Sequence, residues 1–300
     1  MADYISGSNT YVAVGNKEDL NPVITNIAPD DTPLYSMIGS TSCTATYHEW
    51  LEDDLGEAQS NAYAEGFTYA TTKPGTRTRL GNYTQIMERG YEVTDTQEVV
   101  QKHGLTSEMA YQMAKCAKLI AFDCEKAIME QSSKSAGDNT SNPPTARQMG
   151  GIPYWITSHV ISNSGTLRDF TPDLLNDALQ ACFNSGGHPG TAVMGGALKR
   201  TMSSWNGGAL RTLDADASKI TQRVDVFESD FGVIKVLLDR FTPANKVYVL
   251  DPSLWKKATL RPFKTLDLPK TSDSIRKVIV GEWTLEARAE KANAILADVQ

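Results

Sequence analysis

The chain has 300 residues, of which 40% are apolar and 22% charged, and its formal net charge is −7 at pH 7. That length allows one large domain or two smaller ones, with a core that needs no disulfide or metal to hold it. Mean hydropathy is −0.34, and no stretch approaches the roughly 20 apolar residues of a membrane helix. The first ten residues, MADYISGSNT, lack the basic start and the apolar run of a signal peptide. We therefore expect neither membrane insertion nor classical secretion.

The charge is distributed unevenly along the chain. Residues 1–100 carry 5 basic and 15 acidic side chains, residues 101–200 carry 9 and 8, and residues 201–300 carry 15 and 13. No third has the strong basic excess of a nucleic-acid-binding domain. The acidic first third permits electrostatic contact between copies or between regions of one copy. A solvated acidic face is an equal alternative.

The sequence contains no recognisable catalytic or cofactor-binding motif. GxSxG, GxxxxGK[ST], GxGxxG and HExxH are all missing, and the SxxK spacing of Ser274 and Lys277 lacks its partner motifs. Cysteine residues form no CxxC and do not cluster with the histidines, so a zinc site is not expected. We predict that Cys116 and Cys124 are small buried hydrophobes, as in a reducing cytoplasm. The chain is not expected to be an enzyme or to bind a cofactor.

The first 100 residues predict a polar arm, a short helix and a long hairpin. Residues 1–30 are weakly periodic, and such a segment becomes ordered when something binds it, for example a neighbouring subunit. A cap at Asp31 or Thr32 followed by Pro33 predicts a short helix before Gly39. Residues 44–95 are predicted to be extended and to protrude, so they must lie across another surface.

The two arms of this hairpin carry opposite charges. Its acidic residues are Glu49, Glu52, Asp53, Asp54 and Glu57, and its basic residues are Lys73, Arg77 and Arg79. The acidic run lacks the spacing of an EF-hand, so a surface that faces a basic partner is favoured over a calcium or magnesium site. His48 and Glu49 point to opposite faces of a strand, which disfavours acid–base catalysis. Lys73 is interpreted as a solubilising side chain, with a crosslink to a neighbouring chain as the alternative.

The rest of the chain predicts a mixture of helices and strands. Apolar residues at spacings of three and four predict a helix over residues 106–131, about 40 Å long, which is typical of a strut. Further helices are predicted after Thr171 and over 197–205. Strands are predicted at 191–196, 224–236, 246–250, 277–280 and 283–287. The predicted fold class is therefore α+β.

The order of these elements resembles the major capsid protein of tailed bacteriophages, which has the Hong Kong 97-like fold. Short phrases that carry this resemblance occur in family order from about residue 20 to 290. They are Ile24–Leu34 with Ile38-Gly39, Glu49–Leu55, Glu65-Gly66, Asn82–Ile86, Val93–Thr96, Ser229–Gly232, Leu260–Pro262 and Glu282–Glu286. The family usually has a longer segment before the last strands than Pro269–Asp273.

The resemblance implies five parts of the chain. They are an N-terminal arm at 1–45, an E-loop (extended hairpin) at 46–95, a P-domain at 96–165 with the spine helix 106–131, an A-domain at 166–250, and return strands of the P-domain and A-domain at 251–300. It further implies a structural protein whose copies assemble into hexamers and pentamers of an icosahedral shell around packaged double-stranded DNA. DNA is bound without sequence specificity, and scaffolding, portal and decoration proteins are further candidate partners.

On this resemblance the protein is part of the virion capsid, is assembled in the host cytoplasm and has no membrane partner. We expect charged residues of the hairpin region to pair across subunits, and the predicted interface is Glu49, Glu52, Asp53, Asp54, Glu57, Lys73, Arg77, Arg79 and Arg89. Three alternatives are a bacterial encapsulin-type nanocompartment shell with a cargo-peptide groove, a soluble hydrolase with an unrecognised site, and a tail or decoration protein. The long helix and the long hairpin argue against the last.

Overall fold

A computed structural model of the protein describes residues 32–53, 56, 60–69, 75–102, 104–205 and 226–300. The predicted N-terminal arm therefore lies mostly outside the described residues. The α-helices in these ranges are α1 (Pro33–Met37), α2 (Asp95–Val99), α3 (Glu108–Glu130), α4 (Ile152–Trp155), α5 (Pro172–Asn184) and α6 (Gly196–Ser204). The strands are β1 (Gly39–Ser42), β2 (Tyr47–Glu52), β3 (Thr78–Tyr83), β4 (Gln85–Thr94), β5 (Val160–Ile161), β6 (Thr191–Met194), β7 (Val226–Ser229), β8 (Gly232–Leu238), β9 (Lys246–Leu250), β10 (Trp255–Asp267), β11 (Ser274–Ala287) and β12 (Ala294–Ala297).

A six-stranded sheet with the order β5-β12-β9-β6-β8-β7 forms one layer of the molecule. Its central strands are short apolar runs, as expected of strands covered on both faces. On one face, Leu175 and Cys182 of α5 and Leu198 of α6 pack against Val249 and Leu296 of the sheet. The predicted strand 224–236 is two strands, β7 and β8, which pair antiparallel across a turn. Residues 224 and 225 lie outside the described residues.

A four-stranded sheet with the order β1-β10-β11-β4 carries the long helix α3 on one face. The core between them contains Met87, Cys124, Ile128, Trp255 and Trp283, all buried. Apolar side chains of α4 and of the six-stranded sheet join the same core. Both sheets are therefore connected through one hydrophobic cluster.

The last 50 residues form longer strands than the sequence indicates. The two predicted strands 277–280 and 283–287 are parts of one strand, β11. Gly281, which separates them in sequence, continues the strand and leaves space for the Phe263 ring, since a Cβ at this position would lie 2.4 Å from that side chain. Its neighbour β10 was not predicted, since charged residues and Pro262 interrupt its pattern. Register shifts on both sides of Arg261 accommodate that proline in the ladder.

Helix α3 has 23 residues and is about 35 Å long, so its ends lie within two residues of the prediction. Ser107 accepts a hydrogen bond from the Ala110 N–H at 3.2 Å and donates to the Glu98 carboxylate at 2.6 Å. The same carboxylate accepts from the N–H groups of Glu108 and Met109. Negative charge at this end complements the helix dipole. Among the described residues, no helix combines the length and apolarity that crossing a bilayer requires.

A buried carboxylate on α3 holds the short helix α1. Glu125 accepts hydrogen bonds from the N–H groups of Leu34 at 2.9 Å and Tyr35 at 2.6 Å. These are donors of the first helical turn, which have no partner within a helix. Thr32 at the cap position makes no side-chain cap bond, and Asp31, the other predicted cap, lies outside the described residues. The N–H groups of the first turn are held instead by a residue 90 positions away in sequence. Lys257 adds a bond to the Tyr35 carbonyl at 2.6 Å.

Burial raises the pKa of Glu125 from 4.5 to about 7, with a smaller upward contribution from Asp239, while the two N–H donors and Lys257 oppose it. Because the pKa of Glu125 is higher in the folded chain than in the unfolded chain, folding takes up a proton at pH values between 4.5 and about 7. The contribution of Glu125 to the free energy of unfolding is therefore full below about pH 4.5 and is lost as the pH rises through 7.

We predict that Glu125→Gln removes this dependence, because glutamine keeps one acceptor but does not titrate. Between pH 4.5 and 7.5 the free energy of unfolding of the wild type should fall by about 3 kcal/mol more than that of the variant. Urea denaturation of the unassembled chain measures this difference. Glu88→Gln, at an exposed position on β4, is the control and should keep the wild-type slope. Equal slopes for wild type and Glu125→Gln would contradict the assignment.

Candidate assembly surface

The predicted hairpin is present as an antiparallel pair of β2 and β3, with Tyr47 opposite Tyr83 and Glu52 opposite Thr78. Residues 53–77 connect the two strands. After β3 the chain bends at Thr84 into β4, which belongs to the four-stranded sheet. The prediction that the whole of residues 44–95 protrudes is therefore wrong for β4, because its buried Met87 and Val93 pack into the body of the molecule as part of the sheet.

Buried hydrogen bonds of Asn82 attach β3 to the body. Its amide nitrogen donates to the carbonyl oxygens of Gly150 at 3.0 Å and Leu285 at 2.8 Å, and its amide oxygen accepts from the Gly150 N–H at 2.8 Å. One side chain thus satisfies backbone groups of two other segments. A polar residue at 0% exposure is tolerated here because its hydrogen-bonding groups are used.

A buried carboxylate of β11 connects three segments. Glu282 accepts hydrogen bonds from Thr84 at 2.7 Å, Arg147 at 2.5 Å and Arg261 at 2.9 Å. Arg147 also donates to the Thr84 carbonyl at 3.0 Å. Two guanidinium groups compensate the charge of this buried carboxylate, which would otherwise be costly to remove from water.

A second buried carboxylate, Glu286, lies four residues further along β11 and contacts β2, the first strand of the hairpin. It interacts with His48 Nε2 at 3.1 Å and with Arg288 at 2.5 Å. Nearby, the Glu52 carboxylate accepts a hydrogen bond from the Ala289 N–H at 2.7 Å. His48 is thus part of the attachment of β2 to the sheet and is oriented by Glu286, not by the neighbouring Glu49.

Lys134 packs against the open side of the hairpin. Its ammonium group donates to the Gly81 carbonyl at 2.8 Å and lies 5.2–5.7 Å from the ring centres of Tyr47, Tyr154 and Trp155. A cation surrounded by three aromatic rings is a stabilising arrangement. The sequence alone does not reveal the role of Lys134, since no local pattern brings residues 47, 134 and 155 together.

Of the predicted interface residues that the structure describes, Glu52 accepts the Ala289 N–H and the others form ion pairs within the chain. Arg79 pairs with Glu49, Arg77 with Asp53 at 3.3 Å, and Arg89 with Asp123 of α3 through two bonds of 2.6 and 2.7 Å. Exposed pairs of this kind contribute about 0–1 kcal/mol each. Asp54, Glu57 and Lys73 lie outside the described residues. Pairing across subunits stays a prediction for the whole set.

The connecting segment presents three large aromatic side chains to solvent. Tyr63 is 61%, Phe67 45% and Tyr69 88% exposed. Their rings contact one another, with centres 4.6 Å apart for Tyr63 and Phe67 and 5.3 Å for Phe67 and Tyr69. Residues 64–67 form a β-turn that is closed by a hydrogen bond from the Phe67 N–H to the Ala64 carbonyl. Gly66, the third residue of this turn, has a φ of +83°, a conformation that favours glycine. We call Tyr63, Phe67 and Tyr69 the aromatic turn.

Within the described residues, no group of three or more histidine, cysteine, aspartate and glutamate side chains could hold a metal ion. The Ser274 hydroxyl hydrogen-bonds to Ser272 at 2.7 Å and to Glu92 at 2.5 Å, and Lys277 pairs with Asp267 at 3.0 Å. Ser274 and Lys277, the two residues of the SxxK spacing, therefore bind different partners and not each other.

The arrangement of two sheets, a long helix on one of them and a projecting hairpin is the Hong Kong 97-like fold of phage capsids. A family model described as the SU10 major capsid protein matches residues 7–300. The chain belongs to this family and is a major capsid protein of the tailed-phage type, the structural protein of an icosahedral capsid. The family match favours this function over the nanocompartment shell and the hydrolase.

Individual relatives are distant in sequence. The chain is 20% identical to the major capsid protein of Escherichia phage Phieco32, over 96% of this chain and 95% of that protein. The capsid of Cyanophage A-1(L) superimposes with a TM-score of 0.69 at 11% identity, over 97% of this chain and 98% of the other. A structure of phage G gp27 major capsid proteins with gp26 decoration proteins gives a TM-score of 0.61 at 9% identity, over the full length of both chains.

We predict that Asn82→Ala lowers the free energy of unfolding by about 2–4 kcal/mol, because it leaves buried backbone groups of Gly150 and Leu285 without partners. Urea denaturation of the unassembled chain gives the value. The control is Asn139→Ala at an exposed position, which should change stability by less than about 0.5 kcal/mol. Similar values for both variants would show that Asn82 does not hold the hairpin.

Proposed function

We propose that copies of this chain assemble into hexamers and pentamers, which close into the shell that encloses packaged double-stranded DNA. Assembly takes place in the host cytoplasm. In this proposal residues 1–45 reach along a neighbour, and residues 46–95 are the E-loop region, of which the part beyond the β2–β3 ladder reaches over the adjacent subunit. Residues 166–250 point to the centre of the capsomer. The spine helix, described as α3, runs through the P-domain.

The observation that carries this proposal is the contrast between the two ends of the hairpin. Its base is fixed by buried polar contacts of Asn82, Glu282 and Glu286, whereas the segment beyond the ladder exposes the aromatic turn. Exposed aromatic clusters are typical of interaction sites. A rigid base that presents an apolar loop is suited to reaching a neighbouring subunit.

The proposed partners follow from charge and from the family. A net charge of −7 argues against strong binding of DNA phosphates, so the contact proposed with packaged DNA is weak and without sequence specificity. Scaffolding and portal proteins are proposed as assembly partners. The phage G capsid proteins were solved with decoration proteins, and a decoration protein is proposed here by analogy. A structural role without catalysis is proposed for the whole chain.

The first experiment is expression of the full chain alone and with the neighbouring genes, followed by negative-stain electron microscopy. We expect closed shells tens of nanometres across, built from rings of six and five copies. Shells filled with an enzyme instead of DNA would favour the nanocompartment. A chain that stays monomeric in both preparations would contradict the proposal.

Charge reversal tests whether the hairpin charges act between subunits. We predict that Arg77→Glu with Arg79→Glu lowers the yield of shells at least about tenfold, a loss equivalent to 1.4 kcal/mol. The melting temperature of the unassembled chain should change little, since each exposed pair contributes at most about 1 kcal/mol.

A swapped variant separates pairing within the chain from pairing between chains. It combines Arg77→Glu and Arg79→Glu with Glu49→Arg and Asp53→Arg, which restores both pairs inside the hairpin. If the charges meet a neighbour, the swapped variant assembles as poorly as the reversed one. Recovery of the wild-type yield would mean that only the pairs within the hairpin matter.

A further inference from the structure

The short helix α1 depends on the rest of the molecule for its conformation. It has five residues, and a helix of that length is not stable in water on its own. Its cap residue, Thr32, makes no side-chain cap bond. It packs on α3 and is followed directly by β1, which pairs with β10. We call residues 32–38 the strap.

Two kinds of contact hold the strap on α3. The apolar side chains of Leu34 and Ile38 are buried, and the centre of the Tyr35 ring lies 5.7 Å from that of Trp283. The polar contacts converge on Glu125, whose two oxygens accept the N–H groups of Leu34 and Tyr35. Because both oxygens of this carboxylate bind the strap, movement of the strap away from α3 opens the carboxylate to water.

The charged groups around Glu125 do not balance. Asp239, which follows β8, raises the pKa of Glu125, and Lys257 of β10 lowers it. One oxygen of Asp239 is buried and has no hydrogen-bond partner among the described residues. The neighbouring Tyr35 and Cys124 are uncharged, because burial raises the pKa of each to about 12. With both carboxylates ionised, the site therefore holds two negative charges against one positive charge.

This imbalance links the position of the strap to pH. With the strap on α3, burial raises the pKa of Glu125 to about 7. With the strap away, the carboxylate meets water, and its pKa returns towards the ordinary value of 4.5. Closure of the strap therefore takes up a proton. The contribution of Glu125 to closure is full below about pH 4.5 and is lost as the pH rises through 7.

We propose that the strap is a proton-controlled latch, which closes on α3 when the Glu125 site holds its proton and lifts off in a local opening when that proton is lost. The inference goes beyond the proposed function, since it concerns a single chain and holds whether or not shells form. Opening releases the seven residues 32–38, which span about 23–25 Å when extended. The reach of the predicted N-terminal arm, measured from β1, increases accordingly.

Hydrogen exchange of the strap tests the latch in the full-length, unassembled chain. The protection factors of the Leu34 and Tyr35 amides, corrected for the intrinsic exchange rate, are measured at pH 5 and pH 8. We expect a fall of about 70-fold, the change that the closed and open pKa values of Glu125 give between these pH values. Glu125→Gln should show the same protection at both pH values. Glu130→Gln, at an exposed position on the same helix, is the matched control and should keep the wild-type fall. Protection in the wild type that does not change with pH would overturn the proposal.

Low concentrations of urea distinguish opening of the strap from unfolding of the whole chain. A local opening exposes little surface, so exchange at Tyr35 at pH 8 should not respond to urea between 0 and about 1 M. Exchange at Val249, which is buried in the central strand β9, should become faster over the same range. An equal response at both positions would mean that the strap leaves α3 only when the chain unfolds, and the latch would be refuted.

A second variant tests the contribution of the like charge. Asp239→Asn removes one negative charge and keeps an oxygen that accepts the Phe241 N–H and the Thr242 hydroxyl. The pKa of Glu125 in the closed form should then lie nearer its ordinary value. Protection of the strap should therefore fall less than in the wild type between pH 5 and pH 8. An equal or larger fall would contradict the charge imbalance on which the latch depends.

Discussion

Two buried carboxylates of β11 set the constraint on which the arrangement of this molecule depends. Glu282 and Glu286 lie between the four-stranded sheet and the hairpin, where an unpaired charge would cost several kcal/mol. Their partners come from β2, from the Thr84 bend, from the loop that contains Arg147 and from β10. These segments cannot shift relative to one another without separating charge pairs in a medium of low polarity.

This constraint explains how a hairpin without a core of its own has a defined position. Two-stranded ladders are marginally stable in water, and β2 and β3 bury few of their own side chains. Asn82, the two carboxylates and the ring contact of Trp50 with Trp155 supply the missing interactions from the body. The aromatic turn is thereby presented from a fixed base, which reduces the entropy lost when it binds a partner.

Sequence reasoning identified the elements whose pattern is local. The spacing of Cys116, Ile120, Cys124 and Ile128 was sufficient to predict α3, and alternation in residues 44–50 was sufficient to predict a strand near β2. It did not find β10, because Pro262 and several lysines obscure its pattern. It also missed Asn82, Glu125 and Lys134, whose partners lie far away in sequence: 91 positions separate Glu125 from Leu34. The charges of the hairpin are visible in the sequence, but the pairing of Arg79 with Glu49 and of Arg77 with Asp53 depends on the register of β2 and β3.

The cysteines give the molecule a property that concerns its internal motions. Cys116 and Cys124 lie on α3, Cys182 on α5 and Cys43 between β1 and β2, so that three separate parts of the fold each contain a buried thiol. Burial raises the pKa of the Cys124 and Cys182 thiols to about 12, which keeps them protonated and unreactive. A buried thiol reacts only when the part of the fold around it opens. The order in which the four cysteines become alkylated would therefore record which part of the fold opens first as a particle ages, matures or is heated, without any introduced label.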